Sequence, residues 1–70
     1  MEIKFAERLK NLRESAGLSQ RQLARELNSQ ITDSAIGFWE LNKRTPNLES
    51  AMIIAEYFGV SIDYLAGLED

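Results

Sequence analysis

The 70-residue chain contains no cysteine and no histidine. These two absences remove disulfides, thiol nucleophiles, imidazole general bases and the usual zinc ligands together, and with them most enzyme classes. No apolar run approaches the ~18 residues needed to span a bilayer, so no membrane contact is expected. The opening stretch MEIKFAERLK lacks the basic, then apolar, then small-residue order of a secretory signal, which leaves a cytoplasmic location as the default expectation. One proline and four glycines form no linker-like stretch, and there is no internal repeat or low-complexity segment. Residues 1–70 therefore read as a single domain. A chain of this size buries only about 60% of the surface its unfolded form exposes, so its stability is modest.

Basic residues are missing altogether after residue 44. The net charge of −3 conceals a split: residues 1–44 hold eight basic and six acidic side chains, whereas residues 45–70 hold no basic and five acidic ones. A polyanion could be met by the first part and avoided by the second; ordinary surface scatter is the alternative. The 44% of hydrophobic and 27% of charged residues place the chain among globules rather than disordered segments.

The apolar residues that are present recur at helical spacing. Phe5, Leu9, Leu12 and Ala16 form one stripe of an amphipathic helix, which Gly17 ends by taking a left-handed turn. Ser19 can cap a second helix, about 20–27, with Leu23, Ala24 and Leu27 on one face. Asn28, Ser29 and Gln30 read as a turn, Ile31 as an apolar plug, and Thr32 as the cap of a third helix, about 33–41. Asn42 can stop that helix in the left-handed conformation, and residues 43–46 form a basic, extended link. Asn47 caps a fourth helix closed by Gly59, and Ser61 opens a short fifth, Ile62 to Ala66, closed by Gly67. The fold class is all-α.

The third helix has two distinct sides. At about 100° per residue, Ile36, Trp39 and Glu40 share the inward side, while Ser34, Gly37, Phe38 and Leu41 look away from it. Two short helices joined by a turn, the second with a polar-to-bare outer face and basic residues just after it, are what a helix-turn-helix needs. Short outward side chains let such a helix approach base edges in a major groove, while flanking cations hold phosphates. A two-helix corner in an unrelated helical domain would give the same pattern.

The residues themselves carry a resemblance. LSQRQLAREL at 18–27, SAIGFWELNKRTPNLE at 34–49 and AEYFGVSIDYLAG at 55–67 resemble the Cro/CI (XRE-type) helix-turn-helix repressors over nearly the whole chain. The resemblance implies a compact five-helix, lambda-repressor-like DNA-binding domain without a cofactor. It implies that Gln20 grips a phosphate, that Asp33, Ser34, Gly37 and Phe38 face base edges, and that Lys43 and Arg44 lie along the DNA backbone. It also implies an internal ion pair between Arg13 and Glu40. The chain departs from the family pattern in having two more residues than usual between Leu27 and Ile36, and in carrying Leu41 and Asn42 where a polar residue and glycine are common.

Several positions have competing readings. Asp33 either stabilises its own helix N-terminus or accepts a hydrogen bond from a cytosine amino group. Phe38 either contacts a thymine methyl or packs on a neighbouring helix. Gly37 costs roughly 1 kcal/mol against alanine inside a helix, which close approach to DNA would compensate; it is otherwise a tolerated weak spot. Arg21 and Arg25, one turn apart on the outer face of the second helix, face phosphate or simply solvent, and Thr32 joins the backbone-contacting candidates. Trp39 is expected in the core, and Glu40 beside it needs a cation such as Arg13.

The expected function is sequence-specific binding of a double-stranded DNA operator by a transcriptional regulator, a repressor by family, acting as a homodimer on a palindromic site. Its dimer surface is expected at Tyr57, Ile62, Tyr64 and Leu65. Ile53 and Tyr57 either join a subunit contact or extend the core. The rival from another class is a protein-interaction or antitoxin-like module using Ile53, Tyr57 and Tyr64. A metal site at Glu69 and Asp70 is a distant third, because two adjacent terminal acids without further ligands are usually a solvated tail.

Overall fold

Ser19 sets the pattern by which this chain starts its helices. Its hydroxyl accepts a hydrogen bond from the Gln22 N–H at 3.0 Å while the Gln22 side-chain carbonyl accepts one from the Ser19 N–H at 2.8 Å, a reciprocal capping box that satisfies two otherwise free donors. Thr32, Asn47 and Ser61 each accept from the N–H three residues on, at 3.1, 2.8 and 2.9 Å. In the computed structural model, which describes residues 3–27 and 31–69, these caps open four of five helices. They are α1 (Phe5–Ser15), α2 (Gln20–Leu27), α3 (Asp33–Glu40), α4 (Leu48–Phe58) and α5 (Ile62–Ala66). The expected turn at Asn28, Ser29 and Gln30, and the acidic residue Asp70, lie outside the described residues. No strand occurs among the described residues, and no helix is long and apolar enough to cross a membrane.

The third helix ends one residue earlier than its periodicity suggests. Leu41 is its C-cap, and Asn42 follows in the left-handed region at φ 58°. The Asn42 N–H then reaches the Trp39 carbonyl at 3.1 Å and the Lys43 N–H reaches the Phe38 carbonyl at 3.0 Å, the paired bonds of a Schellman turn. Asparagine tolerates this conformation better than most residues, and Lys43 and Arg44, which follow the turn, are exposed.

Every helix contributes to one core: Phe5 and Leu9 from α1, Leu23 from α2, Ile36 and Trp39 from α3, Ile54 and Ala55 from α4, and Leu65 from α5, with Ile31 from the link. Phe5 meets Trp39 edge-to-face, with ring centroids 6.0 Å apart, the arrangement favoured by the ring quadrupoles. α3 packs against α1 and α2, and α5 packs against α1 and α4. Two expectations need correction. Ala16, placed on the inward stripe, is exposed because it is the C-cap of α1, where the stripe has already run out. Leu65, expected on a subunit surface, is 1% exposed and belongs to the core. In a helix of five residues, little more than one turn, periodicity could not separate the inner from the outer side.

Candidate nucleic-acid interface

The side of α3 opposite Trp39 is open. Asp33, Ser34, Gly37, Phe38 and Leu41 line a shallow groove together with Gln20 from the start of α2. α3 is eight residues long, and an α-helix with its side chains is about 10–12 Å across, which the ≈ 12 Å width of a B-form major groove admits. Ile36 and Trp39 fix the helix from behind, so its outer flank is presented by packing rather than by a mobile loop.

Each candidate on this flank has a definite setting. The Asp33 carboxylate accepts a hydrogen bond from the Ser34 N–H at 2.9 Å, as a first-turn acid that complements its own helix end. Ser34 is exposed. Phe38 is 41% exposed, and the Arg44 guanidinium lies 5.2 Å from its ring centroid, so the cation covers part of the ring that would otherwise face water. Thr32 is exposed and its oxygen is committed to the α3 cap. Arg21 and Arg25 on α2 and Lys43 beyond α3 are exposed. Of these cations, Arg44 is the one seen in contact with a residue lining the groove, Phe38.

Behind the flank, a buried polar network holds α1, α2 and α3 in register. Arg13 donates from Nε to Glu40 Oε2 at 2.6 Å and from Nη2 to Glu40 Oε1 at 2.9 Å, and its Nη1 donates to the Leu18 carbonyl at 2.6 Å. The hydrogen bonds to Glu40 hold the Arg13 guanidinium above its ordinary pKa; burial opposes them, and the nearby charges of Glu40 and Glu14 reinforce them. Gln20, expected to grip a phosphate, spends one of its two amide N–H groups on Glu40 Oε1 at 3.2 Å. Its side chain is half-buried against the bare backbone of Gly37.

Of the expected dimer residues, Ile62 and Leu65 line one apolar cleft, and Tyr57 and Tyr64 each have a partner of their own. Tyr57 donates to Glu26 on α2 at 3.2 Å, and desolvation, then the bond to Glu26 and its charge, raises the phenol above the usual tyrosine range. Tyr64 instead lies under the guanidinium of Arg8, and Ile62 faces an apolar cleft shared with Phe5 and Pro46. Ile53 is half-buried and packs on the core. Sequence reasoning missed Arg8 and the wall that Leu41 adds to the groove. The outward angle of Leu41 was a usable signal, whereas nothing in the spacing marks Arg8.

Comparison with known proteins gives this geometry its family. The helix-turn-helix family profile matches residues 9–65. The chain belongs to the XRE-type helix-turn-helix family. Within that family it is 40% identical over 68 residues to the HTH-type transcriptional activator BcrR of Enterococcus faecalis, covering 97% of this chain and 32% of BcrR. It is 35% identical over 66 residues to the uncharacterized HTH-type transcriptional regulator YobD of Bacillus subtilis, covering 94% of this chain and 57% of YobD. It is 29% identical over 68 residues to the HTH-type transcriptional regulator ImmR of Bacillus subtilis, covering 97% and 52%. The chain spans between a third and just over half of the length of these relatives. No solved structure gives a significant match.

Proposed function

We propose that this chain binds double-stranded DNA in a sequence-specific manner, laying α3 in a major groove and acting as a transcriptional regulator in the cytoplasm. The observation that carries the reading is the open outer flank of α3, backed by the buried Ile36 and Trp39 and with Arg44 against its Phe38. Asp33, Ser34, Gly37 and Phe38 face the bases in this reading, while Arg21, Arg25, Thr32, Lys43 and Arg44 follow the phosphates. One eight-residue helix reads few base pairs, so discrimination is multiplied by a symmetric homodimer on a palindromic operator. The domain's extents of 30 × 24 × 21 Å suit two copies side by side with recognition helices ~34–36 Å apart. Occupation of a promoter by such a dimer would repress by occlusion. Activation, the role in BcrR's name, would require a further protein contact.

Selection of bound duplexes from a random pool tests the reading, with recovery of an inverted repeat as the expected result. A second reading, a protein-interaction or antitoxin-like module, draws on one observation: Glu26, Glu56, Ile53 and Tyr57 line a common acidic and apolar hollow. Salt separates the two. A dimer neutralising ~6 phosphates loses affinity with a log–log slope near −5, whereas a protein contact responds weakly, and no enrichment of any duplex would favour the protein partner.

A further inference from the structure

The unshared end of the Gln20 amide occupies the middle of the recognition flank. Glu40 is held by Arg13 through both carboxylate oxygens, and an ionised carboxylate can only accept hydrogen bonds. The end of Gln20 that faces it must therefore be the NH2 group, as the 3.2 Å contact shows. The carbonyl end is thereby turned outward, and its Oε1 lies 3.3 Å from the point where a side chain on residue 37 would begin. Residue 37 is glycine, so the amide of the neighbouring helix takes the space that a recognition-helix side chain would fill. Ser34, Gly37 and Leu41 share one stripe of the flank. That stripe offers a short hydroxyl, a bare backbone and an apolar group, and Gln20 supplies the amide it lacks.

We propose that Gln20 is a specificity-determining residue that reads an adenine, with Glu40 as the positioning residue that fixes which end of its amide meets the DNA. The inference rests on the DNA-binding reading above. Phosphate oxygens accept but do not donate, so an outward carbonyl cannot be satisfied by the DNA backbone. In the major groove guanine and thymine present acceptors at their own edges and cytosine presents an N4 amino donor alone, whereas adenine presents the N6 amino group beside the N7 acceptor, the pair that matches both ends of an amide. The Gln20 carbonyl accepts from N6, and the amide N–H not used by Glu40 is available to N7.

The test is duplex selection from a random pool with the wild-type chain and with Gln20→Met, which keeps the length of the side chain and removes both polar ends. At one position per half-site the wild type selects adenine, and in Gln20→Met that preference falls roughly tenfold while the other positions hold, the scale of one good base contact. Replacing that adenine by purine, which lacks the amino group, weakens the wild type to a similar degree and leaves Gln20→Met nearly unchanged. Glu40→Gln, which can bond to either end of the amide but loses the charge that pairs with Arg13, lowers stability and, compared at a temperature where circular dichroism shows it folded, relaxes the Gln20 position more than any other. Circular dichroism checks folding; should Gln20→Met not fold, Gln20→Ala is read in the same selection. A uniform loss of affinity with the consensus intact would make Gln20 a phosphate contact, overturning this inference and leaving the DNA reading standing. An unchanged consensus and affinity would also overturn it. A wild-type chain that enriches no duplex would overturn both.

Discussion

Arg13 and Glu40 join α1 to α3 through two parallel hydrogen bonds, with the Glu40 side chain only 4% exposed. The guanidinium keeps its charge, since its pKa is raised further above its already high ordinary value. Removing the carboxylate therefore strands a buried cation rather than a neutral group, and breaking such a pair from one side costs about 3–5 kcal/mol. For a small domain whose whole stability lies near the lower end of ~5–15 kcal/mol, Glu40→Ala should bring the chain close to unfolding at room temperature. Urea titration of Glu40→Ala, Arg13→Ala and the double variant should give a coupling energy above about 1 kcal/mol. A coupling near zero would show that the two residues are adjacent without supporting each other.

Arg8 secures the opposite end of the molecule. It donates to the carbonyls of Tyr64 and Glu69 at 3.2 and 2.9 Å, and its guanidinium carbon lies 4.2 Å from the Tyr64 ring centroid. α5 is too short to be stable alone, so these contacts and the Lys4 N–H to Ala66 carbonyl bond at 3.2 Å hold it on α1. Arg8→Ala should lower stability by about 2–4 kcal/mol, the sum of a charged hydrogen bond and a partly exposed cation–π contact. Amide hydrogen exchange should speed up first in residues 62–68. Equal acceleration throughout the chain would mean that α5 unfolds only with the whole domain.

The elements with side-chain caps were legible because capping is local: Ser19, Thr32, Asn47 and Ser61 each act within three residues, and Asn42 needs only its own backbone. The two sides of α3 were legible because Ile36 and Trp39 are large and three apart. Placement failed where the signal was not local. Leu65 sits in a helix too short to show a period. α4 carries apolar residues nearly all round, so its spacing could not tell the exposed Leu48 and Met52 from the buried Ile54. The bridge from Gln20 to Glu40 spans two helices and depends on the absence of a side chain at Gly37, a contact that neither helix's periodicity contains.

Lys43 and Phe38 should separate affinity from selectivity. Lys43 is exposed just beyond the Schellman turn, where a phosphate contact is independent of sequence. Lys43→Ala should weaken all duplexes alike and reduce the salt slope by about one per half-site. Phe38→Ser should instead change which duplexes are selected, through loss of an apolar partner for a thymine methyl. A change of consensus in Lys43→Ala, or an unaltered one in Phe38→Ser, would contradict the assignment of these two residues.

Gly37 sets folding stability against recognition. Within a helix interior glycine costs roughly 1 kcal/mol relative to alanine, and Gly37 is half-buried with ordinary helical backbone. Among the described residues, the three atoms nearest to a new methyl group all belong to the Gln20 side chain, the closest at 3.3 Å. That group is the far end of a flexible chain and can move by a few tenths of an ångström. Gly37→Ala should therefore raise the melting temperature by a few degrees, since about 1 kcal/mol shifts a domain of this size by ~4–8 °C and moving the amide consumes part of the gain. The same methyl group would push the helix from the groove floor and displace the Gln20 amide, so affinity for the selected duplex should fall. Thermal unfolding and a binding titration on the same preparation decide the matter: higher stability with weaker binding is the expected pair. A lower melting temperature would show that Gln20 cannot yield, and unchanged affinity would show that the α3 backbone does not come close to the bases.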